Sequence, residues 1–125
     1  MIEELLAFAF SLEDVVEQAT RIAPEGSRAM TLPAPTSADR NAFLIDREFA
    51  HVHNPPVGSM HMTLPEPFRA MAIDKGWAVR HPFAITNRGM PDAVFVYAPR
   101  DREELQWSKL LLEISHAHAR GTLAA

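Results

Sequence analysis

The segment Glu48 to Leu64, EFAHVHNPPVGSMHMTL, constrains this chain more than any other. Two short runs rich in β-forming residues flank a turn built on Pro55, Pro56 and Gly58, a pattern that predicts paired strands. Side chains on a strand alternate between faces with a period of two. In SMHMTL, Met60, Met62 and Leu64 therefore share one face, and Ser59, His61 and Thr63 share the other. In EFAHVH, Ala50 and Val52 oppose Phe49, His51 and His53. If the apolar set faces a core, His51, His53 and His61 all emerge on the opposite side. Half of the chain's six histidines then sit on one face of one small sheet.

The flanking segments suggest what surrounds that sheet. Residues 2–10 and 12–22 are expected to be helical; in the second, Leu12, Val15, Val16, Ala19 and Ile22 fit one apolar stripe, and Ser11 with Asp14 resembles a helix start. Residues 24–41 hold three prolines and a glycine and predict a long loop, with a short extended piece at Ala29–Leu32. AFLID, residues 42–46, is expected to form a hairpin with EFAHVH. Pro65 to Pro67 opens a helix running to about Lys75, followed by Gly76 and the extended run WAVRHPFA, in which Pro82 holds His81 out of helical geometry. DAVFVYAP is the most strand-like run, and Asp101 with Glu104 caps a last helix whose stripe is Trp107, Leu111, Ile114 and His118, ended by Gly121.

The expected fold class is α+β. It has a small antiparallel sheet of about four to five strands with helices packed on one face, a helical N-terminal segment and a C-terminal amphipathic helix. At 125 residues the chain is expected to be one domain: residues 1–23 helical, 24–41 loop, 42–120 the α+β core.

Composition narrows function by exclusion. There is no cysteine, so disulfides, thiolate catalysis and cysteine-held metals are ruled out; a metal site would use His, Asp, Glu and water. No apolar run approaches the ~20 residues that span a bilayer, and Glu3 and Glu4 stand where a basic leader would begin. No membrane association and a cytoplasmic location are the expectation. The net charge is −4, with six acids against one base in residues 1–25. No Lys/Arg cluster occurs, so nucleic acid is not an expected partner. A small molecule is.

The histidines support a metal reading directly. H-x-H on one strand with a third histidine on its neighbour supplies three nitrogens, with Glu48 as a further carboxylate, a set suited to zinc, iron, nickel or copper. The candidate metal ligands are His51, His53 and His61, the metal a divalent ion such as Zn or Fe.

The pattern REFAHVH, SMHMTLP, a helix, GWAVRHPFA, a strand, PRDREEL and an amphipathic helix resembles the luciferase-like domain of bacteria and archaea, named for its similarity to fungal luciferase. The resemblance spans about residues 40–120 and rests on Glu48, His51, His53, His81 and the Glu104-Leu105 helix start. The element order bears a weaker, fold-level likeness to MmcQ/YjbR-type α+β domains. The luciferase resemblance implies a site at these residues. It also implies chemistry like that of the fungal enzyme, which oxygenates a hydroxylated styryl-pyrone with molecular oxygen and is held to need no other cofactor. Most prokaryotic members have no assigned activity.

That chemistry gives a metal-free alternative. Oxygenating an enol needs a base, and His51, His53 or His81 would supply it, with Glu48 orienting one of them and Arg80 or Arg100 holding an anionic oxygen. A third possibility is a non-catalytic module binding a small ligand or a protein through the sheet face or the acidic N-terminal segment. The remaining candidates are expected to be structural. His116 and His118 sit near the end of the last helix, Trp77, Trp107 and Phe95 are expected in the core, and Met60 and Met62 as core filling.

Overall fold

A computed structural model describes residues 1–19, 26–33, 40–53, 57–80 and 92–123. Among these residues there are three helices and six strands: α1 (Ile2–Ser11), β1 (Val16–Ala19), β2 (Arg28–Thr31), β3 (Glu48–Val52), β4 (Met60–Thr63), α2 (Phe68–Asp74), β5 (Ala78–Arg80), β6 (Ala93–Val96) and α3 (Arg102–Arg120), with a 3₁₀ turn at Arg40–Ala42. The strands form one sheet in the order β1-β2-β3-β4-β6-β5, antiparallel at every pairing. The α+β class holds, with one or two more strands than expected.

The additional strands come from segments given to helix and loop. Residues 12–19 of the expected second helix are not helical, and residues 20–22 lie outside the described residues. Ser11 is the last residue of α1, and its hydroxyl donates to Phe8 O at 2.6 Å rather than capping a new helix. Leu12 is extended and Asp14 lies at φ 65°, so the chain turns out of the helix. Val16–Ala19 then pairs with β2, an arrangement fastened by Arg28 gripping the Glu17 carboxylate through Nε and Nη2 at 2.6 and 2.7 Å. The β-branched pair Val15-Val16 suits a strand better than a helix. The extended piece foreseen at 29–32 is β2.

AFLID is not a strand either. Arg40–Ala42 is 3₁₀, Phe43 and Leu44 pack into the core, and only Ile45 bridges Glu48 across a tight turn with Asp46 at φ 51°. Ordered turn structure there lets Arg47 stack on Phe43 and its Nε donate to Leu32 O.

One side of the sheet carries the core. Ala50 pairs with Met62 and Val52 with Met60; these in turn pair with Val94 and Val96 on β6. All six are at most 1% exposed. They meet Leu5 and Ala9 of α1 and Leu105, Leu111, Leu112 and Ala119 of α3 in one apolar cluster. Burial at ~25 cal/mol per Å² makes this contact the main stabilising contribution. Asp101 caps α3 by accepting from Glu104 N at 2.8 Å, and Gly121 closes it at φ 74°. Glu4 on α1 ties the two helices together through Lys109 and Arg102, each at 2.9 Å.

Candidate functional site

The three strand histidines are brought together by register. His51 on β3 faces His61 on β4 directly. Pairing continues one step beyond β3, with His53 N donating to Ser59 O at 2.9 Å, so His53 stays beside His61. The ring centroids form a near-equilateral triangle: 5.1 Å for His51–His53 and 4.8 Å for both His51–His61 and His53–His61. One ring nitrogen from each lies within 4.8 Å of the others.

Glu48 reaches this face through a fault in the ladder. Met30 pairs with Ala50, but the next residue, Thr31, pairs with Glu48, so Phe49 is an extra residue in β3. Such a bulge resets the alternation of side chains. Phe49 swings to the helix side, where its ring lies 5.8 Å from His116 on α3, and Glu48 joins the histidine face. Strict alternation from the sequence gave the opposite assignment. The outcome is a hydrogen bond of 2.7 Å from His51 Nδ1 to Glu48 Oε2, with both side chains almost wholly buried.

This bond fixes the His51 tautomer. With the proton on Nδ1, the Nε2 lone pair is left facing inward, buried and with no hydrogen-bond partner among the described residues. Nδ1 of His53 is likewise engaged, by Ser59 Oγ at 2.8 Å, which leaves Nε2 as its other ring nitrogen. Burial lowers the His53 pKa, the neighbouring His51 lowers it further, and a hydrogen bond to the Ser59 backbone opposes both. A neutral imidazole is the form that ligates a metal or accepts a proton.

The sequence-predicted residues separate into two groups. His51, His53, His61 and Glu48 converge. His81 lies outside the described residues. Thr63 leaves the histidine set: its hydroxyl donates to Ala42 O at 2.7 Å and lies 3.4 Å from Ser115 Oγ of α3. Arg80 pairs with Val94 and so shares the helix-side face, while Arg100 grips Glu104 at 2.6 Å beside α3. Neither reaches the histidines. His116 and His118 bind Glu13 O at 2.8 Å and Asp92 Oδ2 at 3.2 Å.

Two further residues belong to the site. Ser59 orients His53, which its position across the turn foreshadowed. Phe95, expected in the core, is only partly buried and lies on the histidine face, 5.4 Å from His61 and 6.4 Å from His53. Its pairing with His61 across β4 and β6 is the signal that was missed. Beside Glu48, a cavity of about 300 Å³ opens between Thr31, Ile45 and Arg47.

Comparison with known proteins identifies a family. Residues 46–115, more than half of the chain, match the model of the Luciferase domain family. Luciferases of the fungi Armillaria gallica and Armillaria mellea are each 36% identical over 73 residues, and that of Neonothopanus nambi 34% identical over the same length. These alignments take in 55% of this chain and 27% of each fungal protein, so the chain spans about a quarter of the relatives it matches. No solved structure matches significantly.

Proposed function

This chain belongs to the Luciferase domain family, and from that premise we propose that it is a metal-assisted oxygenase-type enzyme acting on a small enolic or phenolic molecule. The observation that carries the reading is the buried, unpartnered Nε2 of His51 at the centre of a three-histidine cluster. Leaving such an acceptor unsatisfied costs about 1–3 kcal/mol, a cost that a bound cation would offset. The Glu48–His51 pair has the form in which a carboxylate orients a metal-binding imidazole.

In this reading His51, His53 and His61 hold a divalent ion such as Zn or Fe. When bound, the ion would supply a Lewis acid with open positions for a substrate oxygen and for dioxygen or water. The chain's own residues do the rest. Glu48 keeps the His51 proton on Nδ1, Ser59 sets the His53 ring, and Phe95 offers a flat apolar wall for a planar substrate.

A metal-free reading is favoured by the same hydrogen bond. Glu48 also prepares His51 as a general base whose Nε2 would take the enol proton. Oxygen uptake separates the readings when a panel of 4-hydroxy-2-pyranones and phenols is offered to protein loaded with Zn or Fe and to chelator-treated protein. Uptake only after loading, and lost in His51→Ala, supports the metal reading; equal uptake after chelation supports His51 as base. A folded, loaded protein that consumes no oxygen with any of them would refute an oxygenase.

A further inference from the structure

A second constellation lies on the other side of the sheet. Both tryptophans of the chain and its single tyrosine line one cavity of about 480 Å³, formed where the start of α3 passes the ends of β5 and β6. Trp77 and Trp107 stack with centroids 4.5 Å apart and planes 21° from parallel, and Lys75 lies over the Trp77 ring at 5.8 Å. Both indoles are partly buried, and Trp77 packs against the edge of the core. Trp77 O also receives Tyr97 N, which joins the β5 end to the β6 end beneath the cavity. Tyr97 stands at the mouth, half-exposed, its ring resting on Phe95 at 5.6 Å.

The charged part of the lining is a single ion pair. Arg100 donates to Glu104 through Nε and Nη2 at 3.0 and 2.6 Å, and Arg100 N binds the same carboxylate at 2.8 Å. The two charges offset each other at the rim. A volume of this size suits a compact organic ligand, and stacked indoles present a rigid, flat, apolar wall. We propose that this cavity binds a neutral, planar aromatic molecule bearing a hydroxyl or carbonyl oxygen, with Trp107 and Trp77 as its wall and Arg100 as donor to the oxygen. The site rests on observations separate from the histidine cluster, and the two meet only where Tyr97 at the cavity mouth touches Phe95 of the histidine face.

The chain has only these two indoles, so their Nε1–H signals in a ¹H–¹⁵N spectrum report on this cavity alone. The probes are 2-naphthol, neutral at pH 7, and 2-naphthoate, its anionic counterpart. Both indole signals should move saturably with 2-naphthol, and about threefold more weakly with 2-naphthoate. Trp107→Ala should weaken binding about tenfold, the loss of one aromatic contact. Glu104→Gln, which frees Arg100 of its counter-charge while keeping the side-chain shape, should reverse the order of the two probes. His51→Ala should change nothing. No saturable shift with either probe, binding unaltered by Trp107→Ala in a protein that still unfolds cooperatively, or an order unchanged by Glu104→Gln would overturn the proposal.

Discussion

Glu48 Oε2 stands 2.7 Å from Nδ1 of His51, an interaction that exists because Phe49 is one residue too many for the ladder between β2 and β3. The bulge turns a carboxylate that alternation would send to the helix side onto the histidine face. It is a positional device: it holds a charged group beside an imidazole in surroundings where neither side chain is more than 5% exposed.

If that carboxylate orients a metal ligand, Glu48→Gln should leave the fold intact and lower metal affinity by about 10–100-fold. Competition with a chromophoric chelator measures it. Unchanged affinity in a folded variant would show that Glu48 serves structure only.

Glu4 gives a pH-dependent tie between α1 and α3. Hydrogen bonds from Lys109 first and Arg102 second pull its pKa from the ordinary 4.5 down to about 2. A carboxylate whose folded pKa is depressed contributes stability above its unfolded value, and that contribution drains away as pH falls through the folded one. Thermal stability should therefore fall between about pH 4.5 and pH 2 more steeply in the native chain than in Glu4→Gln. Parallel curves would mean that solvent screening cancels the pair.

Gly58 marks where the β3–β4 turn meets the first residues of α1. It sits at φ 70°, and a Cβ there would lie 2.5 Å from Cδ1 and 2.8 Å from Cγ1 of Ile2. Gly58→Ala should cost about 1–3 kcal/mol in urea unfolding, from the left-handed backbone and the contact together. Adding Ile2→Ala should restore only the contact part. A fully additive double variant would place the whole cost in the backbone.

The histidine face was legible in the sequence because it depends only on the two-residue period and a proline–glycine turn, both local. Glu48's place was not, since a bulge is defined by the partner strand as much as by its own residues. The N-terminal segment misled for a related reason. Leu12, Val15, Val16 and Ala19 satisfy a helical stripe, and only Arg28, brought alongside by β2, shows that Glu17 belongs to an edge strand. Along α3 the expected stripe found Leu111 and Ile114 but missed Leu105, Leu112 and Ala119, because Ser108 and Ser115 are buried among them and polar residues hide an apolar period. Four of the five acids of residues 1–19, Glu4, Glu13, Asp14 and Glu17, each pair with an arginine or lysine of this chain.

The central claim, that His51, His53 and His61 are a metal-binding set, is met most directly by elemental mass spectrometry of untagged protein. It is to be measured as purified and after incubation with zinc or iron followed by desalting, beside a His51→Ala/His53→Ala double variant. The expected result is near-stoichiometric metal in the native chain and none in the variant. Native protein that retains no metal after incubation, or a variant that retains as much as the native chain, would contradict it.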